Sequence, residues 1–320
     1  MHDSLPTSMG SQIIDMLDRW GPERCECVPV EQAAAYCRRL TLGHYENFSV
    51  LSRFVPDRMR DGVSAVYAFC RWADDLSDES EDAATASVRL AWWRSELRLC
   101  EAGEPRHPVF VALAPMIDRY GLDTALFHRL IDAFEQDQRQ NRYDSWDDLI
   151  GYCRGSADPV GRLVLQLAGV GDRPDLVTAS DAVCTGLQLA NHWQDVRRDL
   201  VERDRIYIPR ACMPSGDFEA RLSATASVGH APDRSFLAEY RAVMRDLVAR
   251  TRPLLDEVDV LLDAGPADLR SMLWLFAAGG LTILDLIERA DHETVLYRVS
   301  LSKPRKLWLL WNAARRGRAA

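Results

Sequence analysis

Residues 188–209 read Gln-Leu-Ala-Asn-His-Trp-Gln-Asp-Val-Arg-Arg-Asp-Leu-Val-Glu-Arg-Asp-Arg-Ile-Tyr-Ile-Pro. Asn191, Asp195 and Asp199 recur at every fourth position, so on a helix they form one stripe of oxygen ligands. Val183, Leu187 and Ala190 occupy the other side and require a core. Two carboxylates and an amide on one wall suit Mg²⁺, a hard cation that takes a few protein oxygens and fills its remaining positions with water and phosphate. Taken alone, such a stripe with Arg197 and Arg198 between its aspartates is an ordinary solvated face.

A second acidic stripe changes that reading. Residues 67–79 read Tyr-Ala-Phe-Cys-Arg-Trp-Ala-Asp-Asp-Leu-Ser-Asp-Glu, with Asp74 and Asp78 again four apart. They follow the apolar positions Val63, Val66, Ala68 and Phe69, which places carboxylates at one end of a largely buried helix. Buried like charges cost several kcal/mol unless they are paired. Two acidic walls therefore point to a metal-bridged pocket for a diphosphate.

Around these motifs the chain resembles the squalene/phytoene synthases, a family that joins or rearranges prenyl diphosphates and carries two Asp-x-x-x-Asp motifs. The matching pairs are Asp74–Asp78 and Asp195–Asp199, the second preceded by Asn191 and followed by Arg205-x-Tyr207. His-Tyr-Glu-Asn-Phe at 44–48, Ser-Ala-Asp-Pro-Val-Gly at 156–161 and Asn-His-Trp-Gln-Asp at 191–195 resemble the HpnC-like, hydroxysqualene-forming branch of hopanoid biosynthesis. The similarity runs from about residue 30 to 305. It implies an isoprenoid-synthase-type helical bundle with a central diphosphate and Mg²⁺ pocket.

The resemblance also implies roles. Asp74, Asp78, Asn191, Asp195 and Asp199 are the expected metal positions, with Asp75 completing the first cluster. Arg71 and Arg205 are placed to bind phosphate oxygens in bidentate fashion. Tyr67, Tyr207 and His44 can donate hydrogen bonds to the same group, and Lys303 and Arg305 match the family's later basic segment, with Pro304 between them as a departure. Phe48, Phe69, Leu187 and the small residues of 155–161 are candidates for an apolar wall around a carbocation. Asn47, Gln188 and Gln194 could hold a water; at Gln194 some family members carry Arg. The plainer alternatives are His44 as a helix cap, Arg205 pairing with Asp204 or Glu202, Arg71 neutralising Asp75, and the aromatics as core.

The remaining chain reads as helical from Val30 onward, with few alternating runs that would signal strands. Breaks are expected at 103–108, 171–174, 214–217, 229–233 and 265–268. They delimit helices at 30–40, 60–78, 84–101, 108–119, 123–139, 146–153, 157–169, 175–200, 234–263, 267–289 and 292–299. The expected organisation is all-α: a lead-in over 1–29, one catalytic domain over 30–305 and a basic aromatic tail over 306–320. Eight cysteines stand in no paired metal-binding array and read as reduced core residues of a cytoplasmic protein. The start has no basic region or apolar stretch of a signal peptide. The uncharged run Ser271–Leu284 is shorter than the ~20 residues a membrane span requires.

Charge is uneven. From Thr294 onward there are seven Lys and Arg and no acids, which leaves 32 bases against 48 acids over residues 1–293, a formal charge of −16. An acidic body excludes nucleic acid as a partner. The tail mixes bases with Leu307, Trp308, Leu309, Leu310 and Trp311, which suits either an anionic membrane surface or packing of the aromatics onto the body.

The expected reaction is ionisation of presqualene diphosphate and capture of the cation by water, giving hydroxysqualene with Mg²⁺ and without NADPH. The alternatives are a squalene or phytoene synthase condensing two prenyl diphosphates, such as farnesyl diphosphate, and a non-catalytic assembly factor of the same fold. A head-to-tail elongase fits the first motif but not the second.

Overall fold

Short polar caps start many of the helices. Asp82 accepts from Thr85 N at 2.7 Å, Asp123 from Ala125 N at 3.0 Å and Asp233 from Ser235 N at 2.9 Å. Ser145 and Asp148 form a reciprocal capping box. In the computed structural model, which describes residues 13–43, 54–214, 216–230 and 233–318, the resulting architecture is all-α. Among the described residues the only extended pairings are two isolated bridges, Trp20 with Cys25 and Arg142 with Ile206.

Contacts gather the chain into two compact units, Met1–Arg139 with Arg162–Asp172, and Gln140–Gly161 with Arg173–Ala320. The first is organised on the Arg60–Asp78 helix, which packs against Val30–Gly43, Ala83–Glu101, Pro108–Tyr120 and Thr124–Asp137. Val63, Val66, Phe69, Ala73 and Leu76 repeat at three- and four-residue spacing and all are buried, as is Trp72. Phe69 meets Trp93, Phe110 and Phe127, so this candidate for the cation wall is a core residue. Trp72 stacks on Trp93 with centroids 5.4 Å apart and donates to Tyr36 Oη at 2.8 Å. Gly62 is required by a close approach, because a Cβ there would lie 2.4 Å from Leu167 Cδ2. The lead-in also contributes to this core through Ile13 and Trp20, both buried.

The second unit is organised on the 30-residue Pro174–Arg203 helix. Trp146–Ser156, Phe218–Val228, Arg234–Asp256, Val258–Ala264 and Arg270–Arg289 pack around it. Trp193 is fully buried, and its indole N–H donates to Thr251 Oγ1 at 2.8 Å; that hydroxyl donates in turn to Leu247 O at 2.8 Å. On the preceding turns, Thr185 Oγ1 donates to the buried Asp158 carboxylate at 2.9 Å. A Cβ at Gly161 would lie 2.4 Å from Ser180 Oγ, which fixes how closely that segment sits on the long helix.

The structure departs from the expected elements in several places. Residues 292–299 are not helical: Asp291 and His292 adopt left-handed φ of 51° and 64°, which ends the preceding helix. The i, i+4 spacing of Val295 and Val299 imitates a helix, but both are buried from an irregular segment. The Phe218–Val228 helix lay unrecognised between two expected breaks, and 234–263 is divided at Glu257. The tail forms a full helix, Lys303–Arg318. The Ala267–Arg289 stretch is helical as expected, and it is long and apolar enough to cross a membrane by composition, although the uncharged run within it is short. It packs within the second unit, where a Cβ at Gly280 would lie 2.8 Å from Leu187 Cδ2.

The Trp193–Thr251 bond generates a prediction. Thr251→Val keeps the shape and removes the acceptor, which leaves a buried indole N–H unsatisfied. Urea unfolding is expected to show a loss of about 1–3 kcal/mol, with Thr251→Ser retaining most of the stability. Equal stability of the valine and serine variants would show that the bond contributes nothing.

Candidate active site

The second motif lies where the long helix is most firmly held. Asp195 follows the buried pair Trp193 and Gln194, and Gln194 Nε2 donates to Val299 O at 2.7 Å. The Gln194 amide N–H group expected near a substrate or water therefore ties the helix to the segment after His292. That same segment delivers Arg298, whose Nε and Nη2 both donate to Asp195, the latter at 3.2 Å. Arg198 Nη1 adds a longer contact at 3.7 Å. Asp195 is only 7 % exposed, so its charge is held by this fork.

Asp199, one turn later, is half-buried, while Asn191, one turn earlier, is exposed. Burial, followed by the Asp195 charge, pushes the Asp199 carboxyl up to about 7 against the opposing pull of Arg203, Arg198 and Arg205. Gln188 is half-buried on the preceding turn.

After Arg203 the chain turns through Asp204 in the left-handed region, at φ 50°. Arg205 N then donates to Asp199 O at 3.0 Å, and Ile206 N to Asn141 O at 2.9 Å. The Asp204 carboxylate is engaged by Arg142 at 2.7 Å and Asn141 at 3.0 Å, and Glu202 by Arg198 at 3.3 Å. Tyr207 stacks face to face on His192, with centroids 3.5 Å apart. Burial, with Arg205 as a smaller cause, pushes the His192 imidazole down to about 3, so it is neutral. His192 Nε2 is buried without a hydrogen-bond partner.

The first motif belongs to the other unit. Arg71 Nη1 donates to Asp74 at 3.3 Å, and Nη2 pairs with Asp75 and lies 4.0 Å from Glu79. Asp75 is 2 % exposed, and its Oδ2 is buried without a hydrogen-bond partner. Burial pushes its carboxyl up to about 7 even with Arg71 beside it. Asp74, Asp78 and Tyr67 are half-buried on the same helix. The expected neutralisation of Asp75 by Arg71 is therefore present, and the same guanidinium also reaches Asp74. Lys303 and Arg305 stand in the first turn of the last helix, in the second unit. His44, Asn47 and Phe48 lie outside the described residues.

Arg298 and His192 are the groups whose roles sequence reasoning missed. Arg298 is 103 residues from its partner and lay in a segment read as helix. His192 was quoted within a motif without a role. Among the described residues, no three His, Cys, Asp or Glu side chains converge to cage a metal. The donors available are hard carboxylate and amide oxygens, and Asp75 Oδ2 remains unsatisfied. They fit Mg²⁺, which retains water and phosphate in its shell and uses only one or two carboxylates at such a site.

The raised Asp199 carboxyl makes stability depend on pH. The folded chain retains a proton there that the unfolded chain loses above ~4, so stability falls as pH rises from about 4 through about 7. Asp199→Asn removes this liability. Without added ligand, the variant is expected to be more stable than the parent in urea at pH 8, with the difference closing near pH ~4. A variant no more stable at pH 8 contradicts the assignment.

Residues 42–305 match the family described as Squalene/phytoene synthase. A hydroxysqualene synthase of Sinorhizobium fredii is 38 % identical over 183 residues, covering 57 % of this chain and 61 % of that one. The chain thus spans about three-fifths of the length of that relative. A 15-cis-phytoene synthase of Synechocystis sp. is 27 % identical over 304 residues, covering 92 % of this chain and 88 % of the other. The crystal structure of squalene synthase HpnC from Alicyclobacillus acidocaldarius is similar with a TM-score of 0.72 at 44 % identity, covering 83 % of this chain and 97 % of that one. With paired acidic motifs, an all-α fold and a match along most of its length, the chain belongs to the squalene/phytoene synthase family.

Proposed function

We propose that this chain is a Mg²⁺-dependent enzyme that converts presqualene diphosphate and water to hydroxysqualene and diphosphate. The observation that carries this reading is the Asp195–Asp199 stripe, intact and set between Arg198, Arg203, Arg205 and Arg298. Similarity to a hydroxysqualene synthase, at 38 % identity, supports the branch.

Asp74, Asp78, Asn191, Asp195 and Asp199 would hold the metal. When bound, Mg²⁺ supplies positive charge where the leaving diphosphate develops negative charge. The protein's own contribution is cationic. Arg71 and Arg298 hold the acidic positions in the ligand-free chain, and Arg205, Tyr207, Lys303 and Arg305 donate to phosphate oxygens. The carbon–oxygen bond to diphosphate breaks with its electron pair on the leaving group. The resulting cyclopropylcarbinyl cation opens its ring, water adds to the cationic carbon, and the water proton is lost to solvent. Gln188 and Asn47 are the remaining candidates to orient that water.

The catalytic region on this reading is 30–305, in the cytoplasm. The free cysteines suit a reducing compartment. The alternative, a squalene or phytoene synthase condensing two prenyl diphosphates, draws support from the similar squalene synthase structure and from the broad phytoene synthase match. Farnesyl diphosphate would then be the substrate.

Two measurements test the reading. Asp74→Ala and Asp195→Ala should each lower turnover on the order of a hundredfold or more, with circular dichroism unchanged. Full activity at limiting Mg²⁺ would remove that residue from the site. Incubation with presqualene diphosphate in ¹⁸O water should give a labelled alcohol, at a rate and with a product unaffected by NADPH. Squalene formed only when NADPH is supplied would establish the squalene synthase alternative instead.

A further inference from the structure

The last helix, Lys303–Arg318, resolves a tension in the sequence, because its apolar residues divide between two environments. Leu309 and Ala313 are buried against the Arg270–Arg289 helix, where Ser271 Oγ donates to Ala313 O at 2.8 Å. Leu307, Trp308 and Trp311 are 66 %, 48 % and 56 % exposed. With Pro304 and Arg315 they fall within a ~100° arc of the helix surface. Packing therefore accounts for one face and leaves two tryptophans and a leucine facing outward.

The charge on the helix itself is of one sign. Residues from Thr294 onward contain no acid, in a chain whose preceding residues carry a formal −16. Arg305 lies over the Trp308 ring at 5.1 Å, and Arg315 over Trp311 at 4.6 Å. An indole at the surface with a guanidinium on its face suits the boundary between acyl chains and headgroups, where aromatic rings and bases are both favoured. Beside Trp308 is a cleft of about 430 Å³, lined also by Arg289, Arg305, Ser300 and Ser302. Two guanidinium groups and two hydroxyls match a phosphate diester. Asp285 also lines the cleft, and its carboxylate is paired with Arg252 at 3.0 Å.

We propose that the exposed face of the 303–318 helix docks on an anionic bilayer, with a lipid phosphate entering the cleft beside Trp308. Charge complementarity and the exposed indoles select a lipid surface over an acidic protein, whose docking would not require an apolar stripe bordered by bases. This surface goes beyond the proposed reaction and shares only Arg305 with it; the exposed Leu307, Trp308 and Trp311 and the cleft's Arg289, which that reaction does not use, carry it.

The test is sedimentation of the full chain with vesicles of phosphatidylcholine alone or mixed with phosphatidylglycerol. The parent should pellet with the mixed vesicles only, and less as salt rises from ~0.1 to ~0.5 M. Trp308→Ser with Trp311→Ser should weaken partitioning roughly tenfold or more, and Leu307→Gln should weaken it without touching either indole. Arg289→Gln should reduce binding to the mixed vesicles. Circular dichroism should match the parent for all variants, since the three apolar positions are exposed. A parent that stays in the supernatant, or tryptophan variants that pellet equally well, overturns the proposal. So does a dimer in light scattering that the tryptophan substitutions dissociate, because the face would then join two copies. Unchanged binding by Arg289→Gln would remove the phosphate from the cleft.

Discussion

Carboxylates clustered on one helix repel one another and lose hydration when they are buried, and each acidic motif is organised around that constraint. Each motif answers it with an arginine. Arg71 reaches Asp74 and Asp75 from one turn away on the same helix. Arg298 comes to Asp195 from a distant segment and makes two contacts. Neither arrangement removes the electrostatic cost in full. Asp75 and Asp199 remain pushed up to about 7, each chiefly by burial. On the proposed reading, that residual cost is what an incoming cation would relieve.

The surrounding fold serves this balance by fixing where the charges stand. The Pro174–Arg203 helix is held immediately before Asp195, by Trp193 to Thr251 and by Gln194 to Val299. The second bond is informative because Val299 adjoins Arg298. One tether thus sets the helix and the approach of the arginine together. The left-handed pair Asp291 and His292 makes this geometry available by ending the previous helix and releasing 294–302 as irregular chain.

Much of this was legible in the sequence wherever the signal was periodic. The acidic stripes, the apolar faces of the two central helices and most breaks followed from spacing, because a helix converts spacing into a shared face. What escaped was carried by contacts remote in the chain. Nothing near Arg298 announces Asp195, and the spacing of Val295 and Val299 suggested the wrong element. Gln194 looked like a polar group for the pocket, whereas its amide N–H serves a backbone carbonyl. The tail was read as a choice between packing and exposure, and the helix does both because its apolar residues occupy two faces.

The raised carboxyls have a thermodynamic consequence for ligand capture. Near neutral pH, Asp75 and Asp199 are each only partly ionised. On the proposed reading, a divalent cation bound beside these groups would favour the ionised form, and its arrival would expel protons into the medium. Binding would acquire a proton stoichiometry. The heat measured by calorimetry would then vary with the ionisation enthalpy of the buffer, and the apparent affinity would rise with pH until both groups are ionised before the metal arrives.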